Sequence, residues 1–291
     1  MKHIFLVNTF SLKHKTTTMV KAIEEVCREE KIDYKIEVNS LEVSTEDIVN
    51  KYKNTKNIII PIGGDGTINR VLNKIVDTKN ILGYIPYGTG NDFYRTNKEL
   101  LDSGINKVDL VKINDKFFIN IACFGIDADI ANNELSKIFK LFPEKQKYNL
   151  GLISNFLKYK PKEFEVDINN KTIKDKYTTI AVCNARYYGG GYRVSPNSTL
   201  NDGKLEVILV KKTNKVNMAR LITSMKDALH LNSPKVNVIE ADKLTIKSKK
   251  EVGANIDGEK YLSDIFEIEL IPKGIDIYYN QDMIDKVLKK V

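Results

Sequence analysis

The sequence predicts two lobes with a cleft between them: an N-terminal α/β lobe built on a parallel sheet, and a C-terminal lobe built as an antiparallel β-sandwich. Three observations predict this fold class. The chain has 291 residues, of which 42% are hydrophobic, which is long for one domain and enough for a substantial core. Strand and helix patterns alternate up to about residue 108, as in parallel sheets. Beyond it, strand patterns separated by turn residues dominate.

The first lobe has the order βαβαβαβ. Short apolar runs or alternating apolar residues predict strands at 3–7, 34–38, 57–62 and 81–86. Apolar residues at helical spacing predict helices at 20–27 and 68–75, and Ser44 to Asp47 has the form of a helix N-cap. Strands that alternate with helices in this way are expected to lie parallel, with helices covering both faces of the sheet.

The second lobe begins at a predicted hairpin, in which Asn114 and Asp115 separate two strands. Further strand patterns occur at 163–168, 177–185, 204–210, 235–241, 243–248, 265–271 and 275–279. Two helical insertions interrupt them, one around 130–158 and one in which Met218, Ile222, Met225 and Leu229 share a face. We therefore expect an α/β domain at 1–118, a sandwich domain at 119–275 and a tail at 276–291 that packs back on the first domain.

The composition of the chain indicates where the protein is located and which classes of partner it can bind. No apolar run approaches the roughly 18 residues that cross a bilayer, and the start of the chain lacks the apolar region of a signal peptide. These features predict a cytoplasmic protein. Cys27, Cys123 and Cys183 lie far apart in apolar segments and are expected to be reduced core residues. The net charge of +8 suits anionic lipid, nucleotide or nucleic acid, although the charges do not cluster and also fit a solvated surface.

A glycine-rich segment, Gly63-Gly64-Asp65-Gly66-Thr67, lies between a predicted strand and a predicted helix. Glycines at such a turn let backbone N–H groups approach a phosphate, and the start of the helix adds partial positive charge. An ordinary turn with Asp65 or Thr67 as the N-cap fits the same segment equally well.

A second segment, Gly88-Thr89-Gly90 followed by Asn91 and Asp92, repeats this construction after the next strand. The carboxyl ends of neighbouring parallel strands share one crevice, so both turns can face one ligand. Neither turn matches the P-loop pattern or the dinucleotide fingerprint. The pair therefore favours a nucleotide site of another kind.

These segments resemble the diacylglycerol kinase family of the bacterial soluble type, which shares its architecture with sphingosine kinases and NAD kinases. The resemblance covers nearly the whole chain. It is carried by GGDGT at 63–67, GTGNDF at 88–93, FINIACFGIDADI at 118–130, NARYYGGGYRVSPNSTLNDGKLEV at 184–207 and NIDGE at 255–259. It implies an active cleft between an α/β nucleotide lobe and a β-sandwich lobe.

The resemblance also implies which residues bind ATP. Transferred by position, they are Ser40 (or Asn39), Gly63, Gly64, Asp65, Gly66, Thr67, Ile68, Asn69, Arg70, Thr89, Asn91 and Asp92. The first strand departs from the family, which usually continues with Asn-Pro, because here it continues from Asn8 to Ser11 as NTFS.

Phosphoryl transfer requires positioning, metal neutralisation of the phosphates and an acceptor for the hydroxyl proton. Asp65, supported by Asp92, is the candidate that holds Mg²⁺, because hard oxygen ligands suit this ion. Without the resemblance, Asp257 and Gly258 predict a hairpin turn. The resemblance instead implies that this element carries the catalytic base, Glu259 in preference to Asp257.

The resemblance further implies a second, structural Mg²⁺. Its ligands would be the Asp202 side chain and the backbone carbonyls of Thr199 and Lys204. From the residues alone, this segment is simply a turn.

The predicted function is an ATP- and Mg²⁺-dependent lipid kinase acting on diacylglycerol at the inner face of the membrane. The sequence leaves other lipid acceptors, an NAD kinase and a non-catalytic lipid- or nucleotide-binding regulator as alternatives. The apolar and basic residues at 138–157 fit contact with an anionic membrane surface, and they also fit core packing. Nucleic acid is not expected as a partner, and a homodimer is left open.

Overall fold

The computed structural model describes residues 1–39, 44–126, 128 and 159–291. Three sequence predictions therefore lie outside the described residues: the nucleotide contact of Ser40, the helical insertion around 130–158 and the membrane-facing segment at 138–157. None of the helices among the residues described is long and apolar enough to cross a membrane.

The first lobe is a parallel sheet covered by helices, as predicted. Its strands are β1 (His3–Asn8), β2 (Tyr34–Asn39), β3 (Ile58–Gly63), β4 (Ile81–Leu82) and β5 (Ile85–Pro86). Its helices are α1 (Thr9–Leu12), α2 (Thr16–Glu29), α3 (Thr45–Lys51), α4 (Asp65–Ile75) and α5 (Asp92–Leu100), with a 3₁₀ turn at Lys13–Lys15. Strands β2, β1, β3 and β4 pair in parallel in that order, and β5 also pairs in parallel with β3.

Apolar periodicity explains the helices of this lobe. Helix α2 buries Met19, Ile23 and Val26 on one face of the sheet, in one apolar cluster with Met283 near the C-terminus. Helix α4 packs on the other face in a separate cluster. Helix α3 starts with a capping box, in which the Ser44 hydroxyl accepts the Asp47 N–H at 3.1 Å. This cap agrees with the sequence prediction.

The second lobe consists of antiparallel strands. They are β6 (Gly104–Ile113), β7 (Lys116–Phe118), β8 (Ile121–Gly125), β9 (Lys162–Ile168), β10 (Lys171–Cys183), β11 (Tyr187–Tyr188), β12 (Tyr192–Arg193), β13 (Leu205–Lys211), β14 (Val236–Ala241), β15 (Lys243–Ile256) and β16 (Glu259–Tyr279). Helices α6 (Lys215–Ser224) and α7 (Gln281–Lys289) complete the described elements, with 3₁₀ turns at Met225–Asp227 and Leu229–Asn232. The core of this lobe consists of aromatic and aliphatic side chains from β6 to β10, β13, β15 and β16. The three cysteines, Cys27 in the first lobe and Cys123 and Cys183 in the second, are buried as predicted.

One predicted helical face is too long. Helix α6 ends at Ser224 and a 3₁₀ turn follows over Met225–Asp227, after which Ala228 adopts a left-handed conformation with φ of 57° that ends the helical path before Leu229. Leu229, expected to share a helical face with Met218, lies beyond this break and is 58% exposed. The prediction was wrong at this end because periodicity alone does not reveal a helix stop.

Two long strands join the lobes. Strand β16 pairs with β15 in the second lobe, and its last residues pair with the start of β6 and, in parallel, with β4 of the first lobe. Beyond β16, helix α7 packs against α2, where Lys290 forms a 3.0 Å ion pair with Glu25. Because β6 and β16 run through both lobes, the domain boundaries stay predictions from the sequence.

Candidate active site

The two glycine turns lie side by side at the carboxyl edge of the parallel sheet. Gly63 ends β3 and Asp65 starts α4, while the second turn lies between β5 and α5. A methyl group built on Gly88 would lie 2.7 Å from Cα and 3.0 Å from N of Gly64. The two backbones are therefore in direct contact, and a side chain at position 88 would not fit between them.

Gly88→Ala is expected to lower the free energy of unfolding by about 1–3 kcal/mol, the usual range for overpacking. The new methyl group would meet rigid backbone of Gly64 instead of a flexible side chain. Urea unfolding measures the effect. Gly64→Ala is the matched control, because its methyl group would meet Gly88 Cα at an ordinary 3.5 Å. Equal stability of the two variants would contradict this contact.

Asp65 connects the two turns. It is the first residue of α4, yet its carboxylate accepts the N–H groups of Asp92 and Phe93, each at 3.0 Å, at the start of α5. The N-cap of α4 is Gly64, with no side-chain cap. The alternative that Asp65 or Thr67 caps its own helix is therefore wrong, because Asp65 caps the neighbouring helix instead.

Asp92 connects the second turn to the second lobe. Its carboxylate, only 4% exposed, accepts the N–H groups of Gly190 at 2.9 Å and Gly191 at 2.7 Å. Burial raises the pKa of the Asp92 carboxyl, the Gly190 N–H lowers it, and the charge of Asp65 raises it further. Gly190 and Gly191 have φ of 86° and 104°, a region that favours glycine, and Cα of Gly190 lies 4.0 Å from the methyl position of Gly90 in the second turn.

One face of α5 docks on the segment that carries these glycines. The Thr96 hydroxyl accepts the Arg186 N–H at 3.1 Å, and Glu99 accepts hydrogen bonds from the Arg186 guanidinium at 2.8 Å and the Tyr187 hydroxyl at 2.5 Å. Asp92, Thr96 and Glu99 are spaced as i, i+4 and i+7, so they share one helical face. Thr96 and Glu99 could not be identified from the sequence, because their spacing has meaning only once the partner segment is known.

Asn91, the N-cap residue of α5 directly after the second turn, adopts a left-handed conformation with φ of 53°. Its side-chain N–H donates to the Gly88 carbonyl at 3.0 Å. Its Oδ1 atom is buried and has no hydrogen-bond partner within the described ranges, and it lies 3.1 Å from the methyl position of Gly88. An unsatisfied buried oxygen is costly, so a polar ligand at this position would be stabilised.

Asp257 is a buried anchor between the lobes. Only 3% exposed and with φ of 47°, its carboxylate accepts the N–H groups of Ile119 at 3.0 Å, Asn120 at 3.1 Å and Ile121 at 2.9 Å. The Asn69 side chain of α4 donates a fourth hydrogen bond at 3.2 Å. Burial raises the pKa of the Asp257 carboxyl to about 7, and the N–H donors oppose this rise. Its oxygens are thus occupied by groups of the fold.

Glu259 has the opposite environment. Its side chain is 48% exposed, and its Oε1 lies 3.0 Å from the methyl position of Gly66, in the first turn of α4. The Arg70 guanidinium lies 3.5 Å from the same oxygen. The two carboxylates, only two residues apart, therefore differ in accessibility: Asp257 is enclosed, whereas Glu259 reaches solvent beside the first glycine turn.

The other residues predicted to bind the nucleotide differ from one another in exposure and in the groups they contact. Thr89 is exposed in the second turn, whereas the Ile68 side chain is buried in the core of the first lobe. Asn69 faces the junction of the lobes and also donates to the Phe117 carbonyl at 3.0 Å. Any contact of Ile68 with a nucleotide would have to come from its backbone, and these roles stay predictions.

The loop predicted to hold a structural metal forms a tight turn. The Lys204 N–H donates to Asp202 at 3.1 Å, and the Lys204 ammonium pairs with Glu240 at 2.8 Å, away from the turn. The buried Thr199 hydroxyl has no hydrogen-bond partner within the described part of the chain. No group of three or more His, Cys, Asp or Glu side chains among the described residues could hold a metal ion, so a site here would depend on backbone carbonyls.

Comparisons with known proteins match both lobes. The diacylglycerol kinase catalytic domain model matches residues 2–113, and the YegS C-terminal NAD kinase beta sandwich-like domain model matches residues 120–279. A diacylglycerol kinase of Bacillus subtilis is 31% identical over 222 residues, which cover 69% of this chain and 71% of that protein. A diacylglycerol kinase of Staphylococcus aureus is 26% identical over 253 residues, covering 79% and 77%.

Solved structures show the same fold. The crystal structure of a diacylglycerol kinase from Bacillus anthracis superposes with a TM-score of 0.73 at 23% identity and covers 97% of this chain and 98% of that chain. The similarity therefore extends over the two lobes and the strands that join them.

Proposed function

The chain belongs to the bacterial diacylglycerol kinase family and is a lipid kinase, and on this premise we propose that it transfers the γ-phosphate of ATP to the hydroxyl of diacylglycerol, giving phosphatidic acid. The observation that carries this proposal is the position of Glu259. A solvent-accessible carboxylate lies against the first turn of α4, beside the paired glycine turns and at the junction with the second lobe.

The nucleotide is proposed to bind at the glycine turns. The starts of α4 and α5 lie at this edge of the sheet, and helix starts carry partial positive charge that favours phosphate. The glycines of both turns carry no side chain that would keep a phosphate away from the backbone N–H groups. The Arg70 guanidinium, 57% exposed, adds a positive charge on the same side.

Asp65 and Asp92 fit a magnesium ion by their chemistry. Each Asp65 oxygen accepts one backbone N–H, and a carboxylate offers about four lone-pair positions, so both oxygens keep acceptor capacity. The nearby Asn91 oxygen adds an unsatisfied hard donor. When bound, Mg²⁺ would neutralise phosphate charge. The protein residues hold these oxygens in place through the two helix starts.

Glu259 is proposed as the general base. In the reaction, the lipid hydroxyl oxygen forms a bond to the γ-phosphorus, the bond from that phosphorus to the β–γ bridging oxygen breaks, and the hydroxyl proton passes to the carboxylate. Asp257 is less suited, because four N–H donors occupy its buried oxygens. We assign Asp257 the role of positioning the turn that presents Glu259.

Asp65→Ala is expected to lower kcat by at least about 10²-fold, as for loss of one preorganised charge-stabilising group. The free energy of unfolding should fall by only about 0.5–2 kcal/mol, the usual cost of a lost helix cap, because α5 loses the carboxylate that caps its start. Turnover and urea unfolding are measured on the same preparation. Asp77→Ala, at an exposed site after α4, is the matched control. Unchanged turnover in Asp65→Ala would refute its role.

The reaction itself is tested with labelled ATP, Mg²⁺ and mixed micelles that contain one lipid at a time. The panel is diacylglycerol, a sphingoid base, ceramide, phosphatidylglycerol and a polyprenol, with NAD as a soluble acceptor. Label in phosphatidic acid supports the proposal. Label only in another lipid would replace diacylglycerol as the acceptor, and label only in NADP would overturn lipid phosphorylation.

We further propose that the enzyme works in the cytoplasm and meets its lipid at an anionic membrane surface. The net charge of +8 supports this proposal, because anionic leaflets attract basic proteins. A homodimer stays open, as it was from the sequence.

A further inference from the structure

A groove of about 330 Å³ lies at the end of the first lobe opposite the glycine turns. Its walls come from the segments that lead into β3 and β4, the end of α4, and the strands β6 and β16. Strand β3 has six residues, so at about 3.3 Å per residue the groove lies about 17–20 Å from Gly63. It is therefore separate from the candidate active site.

The groove carries an uncompensated positive charge. Its charged lining residues are Lys56, Lys79, Lys107, Lys273 and Asp276. Lys107 pairs with Asp276 at 3.3 Å. Across the described ranges, no salt bridge joins the other three lysines to a carboxylate, whereas surface lysines of β10 and β15 in the second lobe pair with carboxylates of β9.

The end of α4 does not explain this cluster. Lysines near the C-terminus of a helix can interact with its dipole, and Lys74 already occupies the last turn of α4. Lys107 lies on β6 and Lys273 on β16, so these two lysines belong to other elements. Four lysines from separate parts of the chain converge on one concave surface, where a positive field is strongest.

We propose that this groove is a binding site for an anionic phosphate group, either free in solution or carried by a lipid headgroup. Lysine ammonium groups bind phosphate as point charges, and three of them are available here without breaking an ion pair. The groove is open and large enough for a small phosphorylated ligand. This inference does not depend on the proposed kinase reaction.

The site is connected to the junction of the lobes. Lys273 lies in a bulge of β16, with φ of 52°, and its N–H donates to the buried Asp109 at 2.6 Å. The other Asp109 oxygen accepts the Gly203 N–H at 2.7 Å. A ligand held by Lys273 is thus two hydrogen bonds from the turn at 201–203, the predicted structural metal loop.

Glycine-selective ¹⁵N labelling separates this groove from the nucleotide turns, because the chain has only 16 glycines. Inorganic phosphate is titrated against the full chain at constant ionic strength set with chloride. We expect a saturable shift of the Gly274 signal in the groove, with a smaller shift of Gly203. Gly64 and Gly88 report separately on phosphate at the glycine turns.

The double variant Lys56→Ala/Lys79→Ala should bind phosphate at Gly274 up to about 25-fold more weakly, since each exposed charge contact contributes up to about fivefold. The Gly64 and Gly88 responses should not change. The control variant Lys171→Ala/Lys235→Ala removes two exposed lysines of the second lobe, so it has the same net charge as the groove variant. It should bind phosphate at Gly274 as tightly as the wild type does. No saturable Gly274 shift in the wild type, or an equal shift in the groove variant, would overturn the site.

Sedimentation with vesicles distinguishes the two sources of phosphate. Phosphatidylglycerol vesicles are compared with phosphatidylcholine vesicles, using the same two double variants. If the groove variant loses binding to the anionic vesicles together with inorganic phosphate, the ligand is a lipid headgroup. If only binding of inorganic phosphate is lost, the ligand is a soluble phosphate compound.

Discussion

Asp257→Asn is expected to lower the free energy of unfolding by about 2–4 kcal/mol, because each buried N–H group left without an acceptor costs roughly 1–3 kcal/mol. The carboxylate accepts hydrogen bonds from three backbone N–H groups at 119–121 and from Asn69. Asparagine keeps one acceptor oxygen and turns an NH₂ group toward the remaining donors, which leaves buried N–H groups unpaired. Urea unfolding followed by circular dichroism measures the loss.

The matched control is Asp264→Asn, which makes the same chemical change at an exposed position of β16. Exposed substitutions usually change stability by no more than about 0.5 kcal/mol. If Asp257→Asn and Asp264→Asn unfold at the same urea concentration, the N–H groups at 119–121 have other partners. In that case Asp257 is not the anchor between the lobes.

The fold of the first lobe could be predicted because its signals are local. The apolar run at 58–62 and the spacing of Val71, Leu72 and Ile75 depend only on neighbouring residues, and they indicate a buried strand and a one-sided helix. The strands that join the lobes could not be predicted in the same way. Residues 104–108 of β6 pair with residues 275–279 of β16, and no local pattern identifies a partner so far along the chain.

The candidate site was only partly accessible from the sequence. The two glycine turns could be found because glycine at a strand-to-helix turn has a specific physical use. The hydrogen-bond partner of the Asp65 carboxylate could not be found, since Asp65 caps a helix that starts 27 positions later. Nor could the sequence separate the surroundings of Asp257 and Glu259, because an enclosed and an accessible carboxylate look alike in a turn.

Contacts across the cleft explain why the turns and the second lobe stay together. The Asp65 carboxylate holds the start of α5, Asp92 of α5 holds the turn at 189–191, and Glu99 holds Arg186. A shift of the first glycine turn would therefore move α5 and the second-lobe segment with it. We infer that ligand binding at the glycine turns is coupled to the position of the second-lobe turn at 189–191.

Glu259→Gln is expected to lower kcat for lipid phosphorylation by about 10²–10⁴-fold, the contribution of a positioned general base. Glutamine preserves the shape of the side chain beside Gly66 but cannot accept the hydroxyl proton. The KM for ATP should change little, because the Gly64–Gly88 contact is untouched. Single-turnover assays with labelled ATP and diacylglycerol micelles measure the chemical step without product release.

Glu267→Gln is the matched control, with the same change at an exposed site of the same strand, and it should keep wild-type turnover. The fold of Glu259→Gln should be unaffected, because the side chain is 48% exposed and its contact with Arg70 at 3.5 Å is a surface ion pair of small energy. Loss of stability together with activity would indicate a structural role. Full single-turnover activity in a well-folded Glu259→Gln would exclude this residue as the base and leave proton removal to solvent or to a substrate phosphate oxygen.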